Sequence, residues 1–122
     1  MAYAINKTDG TVVATVADGT LDTASSSLSL IGKNYAGYGE VLNENQIKLL
    51  ENFANTSSNT PTSPLQGQIW YNTTANQLQV YNGSSFKSVS GANVDSTEPT
   101  NTAQGDLWYD STNGQLYVYN GS

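Results

Sequence analysis

Residues 66–84 read QGQIWYNTTANQLQVYNGS, and 38 positions further on residues 104–122 read QGDLWYDSTNGQLYVYNGS. Aligned without a gap, the two runs agree at twelve of nineteen places, including Gln-Gly, Trp-Tyr, Gln-Leu, Val-Tyr and Asn-Gly-Ser. Self-similarity at a fixed offset marks a small structural unit used more than once. In the first copy 68–71 is rich in aromatic and β-branched residues, which suit a pleated strand. The polar run 72–76 breaks that strand, because Asn and Thr side chains bond to their own backbone and favour turns. Residues 77–81 then alternate with period two, Leu78 and Val80 against Gln77, Gln79 and Tyr81, which predicts a second strand. Asn82-Gly83 supplies a tight turn, since both residues tolerate positive φ, and a third strand is expected over 84–89. The second copy reaches Asn-Gly-Ser at 120–122, where the first begins its third strand. The expectation is an unfilled sheet edge, completed by a longer chain or by a neighbouring one.

Composition narrows the class. Apolar residues supply 37% of 122 residues and charged residues 11%, against an ordinary charged share of about a quarter. Ser, Thr, Asn, Gln and Gly fill the difference, with eight tyrosines. Such a chain builds only a thin core, and without cysteine it cannot be stapled by disulfides, so repetition or self-association is the expected support. With no arginine, four lysines and a net charge of −6, the chain lacks the clustered cations that nucleic acid or an anionic membrane surface requires. No apolar run approaches the roughly 20 residues of a membrane span, and the N-terminus lacks the basic and apolar regions of a signal peptide.

Taken in order, 2–6 and 11–16 read as strands joined by the Asp9-Gly10 turn, and 27–31 as a third strand of a small antiparallel meander. The Gly-rich run 32–39 reads as a loop, with Tyr35 and Tyr38 as candidate contact residues. One helix is predicted over 44–54, with Asn43 as N-cap, Gln46 completing a capping box and Glu44 favouring the positive end of the dipole. Its apolar residues Ile47, Leu50 and Ala54 share a face with Leu49 and Phe53 beside them. That face either packs on the meander or meets symmetry mates, which makes Ile47, Leu50 and Phe53 candidate oligomer or docking contacts together with Tyr35 and Tyr38. The expected fold is α+β and mostly β: an attachment module over 1–55, a linker over 56–65, a hairpin repeat over 66–90, a second linker over 91–103 and a second repeat over 104–122.

The residues carry no catalytic set. Histidine and cysteine, the usual bases, nucleophiles and transition-metal ligands, are absent. Asp106 and Asp110 could be read as a glycosidase pair, but Gln68 and Asn72 stand at the matching places of the first copy, so turn and strand roles explain them better. Asp110 and Asn113 do not follow the spacing of a calcium-binding loop. No glycine run has the phosphate-loop pattern, and no cofactor is expected. Trp70, Tyr71, Trp108 and Tyr109 are the candidates for contact with a glycan or a protein partner, since aromatic faces stack on sugars; the competing role of the tryptophans is hairpin core.

The pattern G-x-[IL]-W-Y-[ND]-x-T followed by Q-L-x-V-Y-N-G-S resembles the short hairpin units along bacteriophage tail-fibre and related virion proteins. The N-terminal run AINKTDGTVVATVADGTLDT, with LSLIGKNYAGYGEVLNENQIKLLENFA, resembles the start of structural proteins of T4-like cyanophages. These resemblances imply a non-enzymatic virion component made in the host cytoplasm, tail-fibre-like or baseplate-associated. Its N-terminal part would dock on other tail or baseplate proteins, and its expected self-association is a homotrimer. The alternative is a host-surface adhesin that recognises a glycan through the repeats.

Overall fold

A computed structural model describes residues 1–89, 91–100 and 102–122. Positions 90 and 101, read above as the end of the first repeat and part of the second linker, lie outside the described residues. The chain is mostly β; among the described residues there are four small sheets and one α-helix. Strand β1 (Tyr3–Asn6) pairs antiparallel with β2 (Val12–Val16), and β3 (Leu21–Asp22) with β4 (Leu30–Ile31). The first turn forms as Asp9-Gly10 predicts: Gly10 takes φ +87°, and the Asp9 carboxylate accepts from the Thr11 N–H and hydroxyl. The expected third strand shortens to two residues and pairs with β3, so the meander is two hairpins rather than one sheet.

Gly32 joins those hairpins. It is buried, its N–H donates to the Thr20 carbonyl, and an added Cβ would lie 2.2 Å from the Ala17 carbonyl oxygen. Only glycine allows that approach.

Helix α1 spans Tyr38–Leu50, six residues earlier at its start than predicted. Gly37 occupies the N-cap with no side-chain bond, and the acidic residue of the first turn is Glu40. Asn43 lies inside the helix, so the expected capping box does not form. Instead the side chain of Asn45 clamps the backbone of Ser29, accepting from its N–H at 3.0 Å and donating to its carbonyl at 2.7 Å. Val41, Asn45 and Lys48, spaced three and four apart, are the half-buried residues of α1. The expected packing of Ile47 and Leu50 on the meander is therefore overturned: they are 55% and 80% exposed, and α1 buries no residue fully. A polar clamp has taken the inner position that the apolar stripe was expected to hold.

Beyond α1 the first linker is fastened down. It contains a 3-10 turn at Ser57–Asn59, Ser63 donates to the Ala24 carbonyl, and Ser27 donates to the Thr62 carbonyl, each of these two at 2.6 Å. The first repeat follows as β5 (Ile69–Asn72), β6 (Gln77–Tyr81) and β7 (Phe86–Ser88), an antiparallel sheet in chain order. The second linker is partly strand: β8 (Ala92–Asp95) runs parallel to β9 (Leu107–Asp110), whose other side carries β10 (Gln115–Val118). A parallel neighbour is also present in the first repeat, where Asn55 bridges Asn72.

Candidate functional site

The two repeats match at the level of single hydrogen bonds. Gln68 accepts the Leu65 N–H on its side-chain oxygen, and Asp106, 38 positions on, accepts the Ala103 N–H on its own. Asn72 accepts from the N–H groups of Thr74 and Ala75; Asp110 accepts from those of Thr112 and Asn113. Asn72 and Asp110 are both buried, and each holds its turn in place of a backbone carbonyl. Asn76 and Gly114 take the left-handed conformation that the turn requires. These placements give both acids structural partners, and Asp110 has a further bond from the Asn113 side-chain amide at 2.7 Å. That amide, foremost, holds the Asp110 carboxyl below the usual carboxylate range; the backbone N–H groups add to it and burial opposes.

The aromatic residues divide. Trp70 is 3% exposed and meets Phe86 of β7 edge to face at 5.0 Å, and Phe86 in turn meets Tyr81 at 5.2 Å. It is hairpin core, and its ring is closed to any ligand. Trp108 is only half-buried, stacks on Tyr117 at 5.0 Å and donates from Nε1 to the Asp95 carbonyl. Tyr71 is half-buried, whereas Tyr109 is exposed with its hydroxyl beside Gly114. Neighbouring strand residues point to opposite faces, so Trp108 and Tyr109 do not form one platform. Near the helix, Tyr35 is half-buried under Gly37 and Tyr38 is exposed. Phe53 is half-buried in a left-handed turn, its N–H donating to the Lys48 carbonyl.

A cleft of about 860 Å³ opens between the repeats. Gln79, Phe86 and Lys87 line one side, and Trp108, Tyr117 and Val118 the other. Lys87 approaches Asp106 across it at 3.9 Å. Tyr117 has no aromatic counterpart in the first copy, where Gln79 holds its place, so the repeat pattern could not have signalled this stack. Two surfaces thus carry exposed apolar side chains in strength: the outer side of α1 and strand β10. Among the described residues no helix is long and apolar enough to cross a membrane, and no three His, Cys, Asp or Glu residues are grouped to hold a metal ion. The chain matches no protein-family model, no curated protein and no solved structure at a significant level.

Proposed function

We propose that the chain is a non-enzymatic structural component of a bacteriophage virion, a tail-fibre or fibre-attachment piece at the baseplate. In this reading residues 1–55 attach to other tail proteins and the chain associates as a homotrimer. The observation that carries it is the outer side of α1, where Leu42, Ile47, Leu49 and Leu50 are all exposed while the inner side is held by the Asn45–Ser29 clamp. Four large aliphatic side chains on one 13-residue helix form a surface that association would cover. Support also comes from the sequence resemblance of both the N-terminal run and the repeats to virion proteins, and from a core of just Ala14, Val16 and Trp70 as buried apolar residues among those described.

Light scattering after size exclusion tests the assembly. Three times the chain mass of 13.0 kDa is expected, falling to one in an Ile47→Ser/Leu50→Ser variant whose strand signal in circular dichroism is unchanged. A monomeric parent chain with α1 open to solvent would sink the trimer. Mass spectrometry of purified particles tests the location: the chain must be recovered with the tail structure rather than in the infected-cell supernatant.

A further inference from the structure

The two repeats differ in how they satisfy one donor and one acceptor. In the second repeat the Trp108 indole N–H donates to the Asp95 carbonyl at 3.2 Å, and the side-chain oxygen of Gln115 accepts from the Tyr117 hydroxyl. The corresponding residues of the first repeat, 38 positions earlier, are Trp70 and Gln77. Trp70 Nε1 and Gln77 Oε1 are both enclosed, and neither has a protein partner. The sequence accounts for the oxygen: position 79 is Gln, so the hydroxyl that serves Gln115 has no counterpart. The packing accounts for the indole. Thr73 donates to the Asn55 carbonyl as Ser111 donates to that of Asp95, so the matching carbonyl is present, but the Trp70 ring is held against Phe86 and does not bond it.

Register puts the two groups on one face of the hairpin. Trp70 lies opposite Gln79 and Asn72 opposite Gln77, so Trp70 and Gln77 are diagonal cross-strand neighbours, a separation that long side chains span. Buried polar groups are almost always bonded, to protein or to ordered water, because an unpaired one forfeits the bond it made in solvent. The two atoms also select what bonds them. An indole N–H repels a cation, and an amide oxygen repels an anion. A neutral molecule that accepts on one side and donates on the other satisfies both, and with Trp70 only 3% exposed it must be the smallest such molecule. A buried water takes roughly two to four polar partners. Besides the indole and the Gln77 oxygen, this face carries the side-chain amides of Asn72 and Gln79.

We propose that the first repeat encloses one water molecule, which accepts from the Trp70 Nε1–H and donates to Gln77 Oε1. That water is the solvent counterpart of the two protein bonds in the second repeat. The Trp70 ring admits nothing from outside, so the water is enclosed as the hairpin folds and leaves only when it opens. The site lies inside one hairpin and is independent of how the chain associates.

The test is a pair of water-selective NOE and ROE spectra of the full chain, read at the indole protons of the two tryptophans. At Trp70 the water signal is expected to have opposite sign in the two spectra, which marks a water held far longer than surface hydration. Trp108, whose N–H is already satisfied by a carbonyl, should show no such signal. Gln77→Met removes the oxygen at nearly constant length, and should abolish the Trp70 signal while leaving Trp108 unchanged. A crystal structure of the unaltered chain answers the same question if that variant does not fold: a single density peak is expected within about 3.2 Å of both Nε1 and Oε1. Signals of the same sign at Trp70, or a Trp70 signal that survives Gln77→Met, would overturn the proposal. So would a direct bond between the two atoms in the crystal, or a held water at Trp108 as strong as that at Trp70.

Discussion

The two hairpin units obey one backbone plan and cover their tryptophans in different ways. Turn-holding oxygens, left-handed turn residues and the Gln-Gly entry recur at an offset of 38, whether the oxygen belongs to Gln68 and Asn72 or to Asp106 and Asp110. The tryptophan environment does not recur. Trp70 is sealed by Phe86 from a third strand, whereas Trp108 leans on Tyr117 from the strand beside it and stays half open. The lesson is that turn chemistry specifies this unit and that its core is adaptable. In the second unit Tyr117, on the neighbouring strand, supplies the aromatic partner.

The sharpest way to break the comparison is to remove each tryptophan. Trp70→Ala is expected to cost about 3–5 kcal/mol, the usual range for a buried aromatic truncated in a core. Trp108→Ala should cost about 1–2 kcal/mol, because far less of its apolar surface is withdrawn from water. Denaturant unfolding of both variants checks the ratio. Equal losses would mean that Trp108 is as well covered as Trp70, and the contrast between the units would collapse.

A second pair of substitutions should show parity instead. Gly67 and Gly105 take φ +89° and +92°, and each donates its N–H to the carbonyl of a matching tyrosine, Tyr81 or Tyr119. A side chain in that region costs about 1–2 kcal/mol. Gly67→Ala and Gly105→Ala should therefore destabilise by similar amounts, read as loss of local amide protection in each hairpin. A large difference would show that the shared backbone plan is not equally enforced.

That plan was the legible part of the sequence. Asn72, Asn82, Asp110 and Asn120 accept from backbone N–H groups two or three residues on, and Asn76 and Gly114 take left-handed φ, so a local reading of residue types recovers the turns and the strands between them. The parallel neighbours were not legible. Asn55 and Ala92–Asp95 reach their partners across loops, and Asn55 and Asp95 stand 40 rather than 38 positions apart, so the repeat period does not mark them. The start of α1 was hidden by Gly37 and Gly39, which argue for loop on composition, while Asn43 offered a cap that the helix does not use. Periodicity placed Ile47 and Leu50 on a common stripe correctly but could not say what lies opposite it. Likewise Trp-Tyr read as one aromatic pair, although burial separates Trp70 from Trp108 through residues far along the chain.

Exchange of the compensating residue is expected to have a smaller effect. Tyr117→Gln gives the second repeat the residue that the first repeat carries at that place, Gln79. Losing the stacked pair should cost about 0.5–1.5 kcal/mol and shift Trp108 fluorescence towards that of a solvated indole. Gln79→Tyr should give the first repeat little, since Phe86 already covers Trp70. If the two substitutions change stability alike, Tyr117 does not cover Trp108 as Phe86 covers Trp70.

The finest distinction between the repeats is one of pH. Asp110 and Asn72 make the same turn, but only Asp110 titrates. Its carboxyl is held below the usual range, chiefly by the Asn113 side-chain amide, so the folded hairpin favours the ionised form. Above about pH 4 the unfolded chain is ionised as well and the contribution is complete. As pH falls through the lower value of the folded state the carboxylate takes up a proton, and the contribution is lost. Exchange at the Thr112 and Asn113 amides should accordingly quicken on acidification from pH 5 towards pH 2, relative to Thr74 and Ala75, once intrinsic acid rates are divided out. Asp9 and Asp22 also sit below the usual range, through bonds from Thr11 and Ser25 in the N-terminal hairpins, so the comparison must be made at these four amides and not by global melting. Asp110→Asn should make the second hairpin respond as the first does. If the contrast between the hairpins survives that change, the pH response belongs to another group and Asp110 is only a turn residue like Asn72.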